Sequence, residues 1–171
     1  IYVSASKGFR AGGPNARPGD ICSAGISQLG VTADSLASTQ PDTVWNYEVG
    51  AKARIRRMTL TGAAFQMDWE NIQQTLTIPI CFITLTANAG AARVRGLELE
   101  LTGEVLPGFD VRLGLGYNDA KITKAGLSGQ AVGSRVFQTP EVTLTAAGSY
   151  THYLQFNLFT LYIKLQFSWK K

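Results

Sequence analysis

The residues that could do chemistry are few and do not converge. His152 is the sole histidine, with no ligand partner at metal spacing. No Ser-His-Asp set, carboxylate pair or phosphate-cradling loop rises above chance, so no catalytic residue, metal or cofactor is expected and the chain is not read as an enzyme. Cys22 and Cys81 fall in two separate loops. In an oxidising compartment they could bridge, but their distance in space is open, and so is the pairing. The net charge is +4, yet the basic residues are scattered and only Arg54, Arg56 and Arg57 cluster. That cluster ends a strand, which makes a nucleic-acid patch the weaker reading. Two sets of polar groups remain. Arg10, Asn15 and Arg17 open a long loop, and Glu48, Lys52, Glu98, Glu100 and Arg112 recur on alternate positions of strands.

The elements that carry these groups read by twos. In Asn88–Asp119, Leu97, Leu99 and Leu101 alternate with Glu98, Glu100 and Thr102; after Pro107-Gly108, Val111, Leu113, Leu115 and Tyr117 alternate with Arg112, Gly114, Gly116 and Asn118. Period two marks strands with one apolar and one wet face, and Pro-Gly between them marks a hairpin turn. The same pattern predicts strands over Ile1–Phe9, Val44–Ile55, Met58–Ile78, Phe82–Glu104, Phe109–Thr123, Pro140–Tyr150 and Tyr153–Trp169. In Met58–Ile78 the apolar side is read as Ala63, Phe65, Met67 and Trp69, with a slip of phase near Asn71. Ala11–Thr43 and Lys124–Thr139 lack a period and read as loops; a second loop tip falls at Pro79-Ile80-Cys81. No helix is assigned.

Seven antiparallel strands with long loops at one end and tight turns at the other, Arg56-Arg57 and Pro107-Gly108, suit a transmembrane β-barrel. No apolar run approaches the ~20 residues of a membrane helix. Magnitude favours the assignment: an Arg or Lys facing lipid at mid-depth costs roughly 2–4 kcal/mol, and Glu48, Lys52, Glu98, Glu100 and Arg112 all sit opposite the apolar set. Leu97, Leu99, Leu101, Leu113 and Leu115 are then expected to face lipid. The alternatives are a small complete barrel or porin-like channel, and a soluble β-sandwich binding module. A sandwich must pair those leucines across two sheets, and its strands are typically only about five or six residues long.

Several blocks resemble the C-terminal barrel of a TonB-dependent outer-membrane receptor of the siderophore-receptor kind. They are Lys7-Gly8-Phe9-Arg10-Ala11-Gly12-Gly13, Tyr47-Glu48-Val49-Gly50-Ala51-Lys52, Ala64-Phe65 through Asp68-Trp69 to Ile72-Gln73, Asn88-Ala89-Gly90-Ala91-Ala92, and Gly96-Leu97-Glu98-Leu99-Glu100. The resemblance covers residues 1–150 of a partial barrel domain spanning 1–171, with 151–171 an atypical tail. It implies an all-β antiparallel transmembrane barrel segment, part of a larger plugged barrel of about 22 strands. It also implies a place in the cell outer membrane among its lipid, and import of a scarce ligand, most often a ferric siderophore. The partners implied are a plug domain and the TonB complex, neither of them in this sequence, and no nucleic acid. Arg10, Asn15 and Arg17 would meet an anionic ferric chelate. Glu48, Lys52, Glu98, Glu100 and Arg112 would line the lumen, in reach of the plug. Without an initiator Met or signal peptide, the chain reads as a fragment that begins in mid-strand. Labelling of intact cells is expected to reach Cys22 and not a cysteine placed at Gly108.

Overall fold

The computed structural model describes residues 1–88, 90–126, 131–155 and 160–170, with backbone alone beyond residue 152. Its strands are β1 Tyr2–Arg10, β2 Gly13–Pro14, β3 Ser38–Thr39, β4 Asp42–Ile55, β5 Met58–Glu70, β6 Gln73–Thr77, β7 Thr84–Asn88, β8 Ala91–Leu106, β9 Phe109–Lys124, β10 Val142–Gln155 and β11 Thr160–Lys170. Seven form one antiparallel sheet in the order β1-β4-β5-β8-β9-β10-β11. Among the described residues β1 and β11 each pair on one side only, so the sheet is open. The pairs β2-β3 and β6-β7 are separate two-stranded ribbons in the loops.

Each tight turn is dictated locally. Arg56 takes φ +54° between β4 and β5, and Gly108 takes φ +75° after Pro107, where a type II turn needs a residue free to be left-handed. Glu104 ties the two turns together, accepting from Gly108 N–H at 2.8 Å and from Arg57 Nη1. The loops occupy the opposite end. Val142–Gln155 runs further than Pro140–Tyr150 predicts, and residues 153–155 belong to β10 rather than to the last strand. The predicted long strands Met58–Ile78 and Phe82–Glu104 are each divided. Asn71 at φ +53° ends β5, and the Asn71–Gly90 segment folds up as the β6-β7 ribbon.

Cross-strand register assigns the two faces. Ser4, Glu48, Phe65, Gly96 and Asn118 make one row, and Lys52, Thr61, Glu100 and Gly114 another, on the wet face. Leu60, Leu101, Leu113 and Ala146 form a row on the other face, as do Leu99, Leu115 and Leu144. Leu97, Leu99, Leu113 and Leu115 are 42–55% exposed, so nothing packs on them. A soluble sandwich would cover those leucines; among the described residues no second layer does. The phase of β5 corrects the sequence reading. Phe65, Met67 and Trp69 lie on the wet face and Gln66, Asp68 and Glu70 on the leucine face. Register outweighs residue type here, since Leu60 must stand beside Leu101. Room is made for Phe65 by Gly96, where a Cβ would lie 2.3 Å from the Phe65 ring.

The buried core lies in the loops, not under the sheet. Ile26 and Leu36 from the first loop pack on Ile78, Leu85 and Ala87 of the β6-β7 segment, with Cys22 fully buried among them. Cys22 and Cys81 form a disulfide, Cα–Cα 5.3 Å. The 11–41 stretch is therefore not featureless. It holds β2, two 3-10 turns, helix α1 (Ser23–Gln28) and β3. Period reasoning misses a six-residue helix because one and a half turns carry no amphipathic repeat. The disulfide also removes Cys22 as a surface label. Ile21, 77% exposed, is the position to convert to cysteine.

Candidate functional site

The polar wall comes from alternation on the six neighbouring strands β1, β4, β5, β8, β9 and β10. A recess of 480 Å³ on the wet face is bordered by Tyr2, Glu48, Glu98, Glu100 and Arg112. Tyr2 donates its hydroxyl to Glu48 Oε1 at 2.5 Å. Gly50 permits this, because a Cβ there would lie 2.5 Å from the Tyr2 ring. Arg112 pairs with Glu100 at 3.3 Å, both side chains at least half exposed, a geometry worth little energetically. Glu98 has no ion-pair partner among the described residues. Lys52 stands in the same row as Glu100, two strands away, outside the recess border. Gly114 makes room for the Thr145 hydroxyl, which lies 2.5 Å from where a Cβ would be, and Gly116 leaves its part of the wall open. The residues predicted for this face thus do share it, as a solvated surface with open acceptors.

At the loop end Arg10 and Asn15 each have partners, in two separate hydrogen-bonded sets. Asp42, 3% exposed, is the hub. It accepts from Arg10 Nε and Nη2, from Trp69 Nε1 at 3.2 Å and from Gln73 N–H at 3.3 Å. Arg10 Nη2 also reaches Gln73 O at 2.9 Å. Gln73 Nε2 in turn donates to the carbonyls of Ala11 and Gln40, each at 3.1 Å. Asn15 latches the first loop to β7, donating to Leu36 O at 2.9 Å and Thr86 O at 2.7 Å and accepting from Thr86 N–H at 3.3 Å. Asn88 is a second latch, with Gln40 N–H at 2.8 Å on its oxygen. Arg17 stands apart, paired with Asp34 at 3.2 Å while its side chain stays 78% exposed.

Sequence does not mark Asp42, and it offers Gln73 and Asn88 only as members of the family-resembling blocks, not as site residues. Each is a short or amide side chain at a strand end. Their weight is testable. Asp42→Ala leaves the Trp69 indole and the Gln73 amide without their acceptor, at a cost of about 1–3 kcal/mol. Asp42→Asn keeps one acceptor oxygen and should cost less. Amide exchange at Gln73 and across β6-β7 reads the difference, and equal protection in both variants would deny Asp42 its role as hub.

Among the described residues the arrangement is a wall with one wet face and one uncovered apolar face, topped by a braced cap: part of a membrane-type β-barrel with structured loops. The comparisons with known proteins agree. The family described as TonB dependent receptor-like, beta-barrel, matches residues 1–170, and the chain belongs to that family. The probable TonB-dependent siderophore receptor PiuA of Acinetobacter baumannii is 29% identical over 121 residues, 66% of this chain. The probable TonB-dependent receptor BfrD of Bordetella pertussis is 29% identical over 124 residues, 69% of this chain. The chain spans 16% of the length of each of these curated relatives. Among solved structures, the ferric yersiniabactin uptake receptor FyuA of Yersinia pestis superposes with a TM-score of 0.66 at 18% identity. That superposition covers 97% of this chain and 22% of that one, and at such identity it speaks for the fold.

Proposed function

We propose that this chain supplies barrel wall and outward loops to an outer-membrane receptor that imports a ferric siderophore, or a similar scarce chelate, with energy from the TonB complex. The observation that carries the proposal is the pairing of a one-sided sheet, leucines out and carboxylates in, with a disulfide-braced loop cap at one end. A channel that only leaks solutes has no need of a rigid cap. The siderophore assignment draws on PiuA, whose name carries that ligand class. Glu48, Lys52, Glu98, Glu100 and Arg112 would line the lumen and face the plug. Arg10, Asn15 and Arg17 are the candidates for meeting an anionic chelate. Arg17 is the most open of the three, while Arg10 and Asn15 also hold the cap in shape.

The test is uptake of a radiolabelled ferric chelate by cells carrying the complete reading frame that contains this chain. Uptake should require both that frame and an energised inner membrane. Uptake that persists after the TonB complex is removed would leave a passive channel as the better account. Arg17→Ala should weaken chelate binding several-fold, since an exposed charge steers and contacts but is screened by salt. The seven strands alone should import nothing, because their two edges leave backbone groups unpaired in hydrocarbon at several kcal/mol each.

A further inference from the structure

We propose that the leucine face carries a seat for one phosphate-bearing lipid, with its acyl chain in a groove beside Ala64 and its phosphate on the Arg93–Arg95 pair. The inference rests on the barrel reading, which turns that face toward lipid.

Register places the groove at a boundary. Below it run Val3, Val49, Ala64, Leu97 and Tyr117. The next row toward the loops is Ala5, Tyr47, Gln66, Arg95 and Asp119, and the one after it is Lys7, Trp45, Asp68, Arg93 and Lys121. The apolar band thus gives way within one row to aromatics and charges, as at a membrane–water interface. Across this boundary lies an open groove of 520 Å³. Small residues, Ala5 and Ala64, leave it hollow; Tyr47, Leu97 and Tyr117 border it, and Arg95 stands at its upper end. A methylene chain fits such a floor, and the exposed leucines continue the apolar surface below.

The headgroup end is held in a hydrogen-bonded row. Arg95 Nε donates to Gln66 Oε1 at 2.8 Å, Gln66 Nε2 to Asp68 Oδ2 at 2.8 Å, and Arg93 Nε to Asp68 Oδ1. Both guanidiniums are thereby fixed through Nε, and among the described residues no group takes their terminal nitrogens. Two residues apart on one face, they stand about 7 Å from each other, a spacing that lets two planar forks grip one tetrahedral anion. The local acids are already engaged: Asp68 by Arg93, and Asp119 by Lys121 at 2.8 Å. Lys7 adds a fourth base, its Nζ 5.5 Å from the Trp45 ring centroid. In these two rows four bases face two acids, and Glu70 stands one row further from the groove. A free anion would use the guanidiniums and leave the groove idle, so a lipid is the occupant that uses both.

The complete receptor that contains this chain, in uncharged detergent micelles and analysed by native mass spectrometry, tests this with dioleoyl phosphatidic acid, dioleoylglycerol and inorganic phosphate as probes. The unaltered receptor should retain phosphatidic acid about tenfold over dioleoylglycerol. Arg93→Gln with Arg95→Gln should erase that preference, and Ala64→Phe, which fills the groove, should lower retention of both lipids. Equal retention of the two lipids, a preference surviving the double substitution, or displacement of phosphatidic acid by millimolar phosphate would each overturn the seat. A complete receptor that binds no detergent and stays in solution without it would overturn the barrel reading as well, so the two failures are told apart.

Discussion

Replacing Cys22 and Cys81 by serine is expected to loosen the loop cap by about 3–4 kcal/mol while the seven-stranded sheet keeps its protection. The disulfide spans 59 residues of sequence, for which the chain-entropy relation gives about 4 kcal/mol. That figure is an upper case. When the cap opens with the sheet intact, the strands already hold both loops at their roots, so the effective loop is shorter and about 3 kcal/mol is the lower case. What remains without the bridge is a small core, Ile26 and Leu36 on Ile78 and Leu85, with the Asn15 and Asn88 latches. So small a core buries too little to hold some thirty loop residues unaided, since ordering each residue costs about 1–2 kcal/mol. Amide exchange should therefore speed up by about 10²–10³ in α1, β6 and β7. Exchange in β4, β5 and β8 should stay as it is. If the cap amides exchange no faster in the double serine variant, the hydrogen-bonded latches rather than the bridge hold it, and the Asn15→Ala variant becomes the decisive one.

The sheet was legible in the sequence because strand alternation is a local signal repeated many times. Leu97-Glu98-Leu99-Glu100-Leu101 fixes its own two faces, and a single misread residue cannot move five. Legibility failed where one strand's pattern is ambiguous by itself. Ala63, Phe65, Met67 and Trp69 look like an apolar face, and only the pairing of Phe65 with Glu48 and of Ala63 with Glu98 reveals it as the inner one. The cap was opaque for a different reason. Its helix is too short for a period, its ribbon interrupts what reads as one long strand, and its bridge joins residues with no sequence relation. Asp42 illustrates the same limit at the site. Its four donors come from three segments, Arg10, Trp69 and Gln73, and no spacing rule connects them. Arg10 and Asn15 were found as polar residues at a loop start, but that they brace the loop is tertiary information.

Leu99→Arg should destabilise the protein in a bilayer by about 2–4 kcal/mol, the cost of a guanidinium facing hydrocarbon at mid-depth. Leu99 is the position to choose because it is flanked by Gly62 and Leu115 on the apolar face, 50% exposed and rows away from the charges at Arg95 and Asp119. The control is Thr61→Arg. Thr61 lies on the wet face, between Lys52 and Glu100, where a guanidinium stays hydrated and gains a carboxylate neighbour. Its cost should stay within about 0.5 kcal/mol, as for ordinary surface changes. The comparison isolates sidedness, since both substitutions put an arginine into strands of the same sheet. Loss of packing does not confuse it, because Leu99 has no covering layer to leave. A Leu99→Ala variant should cost far less than Leu99→Arg for that reason, whereas in a sandwich interior truncation to Ala alone would cost about 2–5 kcal/mol. Reversible urea unfolding in phospholipid vesicles, in the complete receptor that contains this chain, measures all three. Equal penalties for Leu99→Arg and Thr61→Arg would mean that the leucine face does not meet lipid.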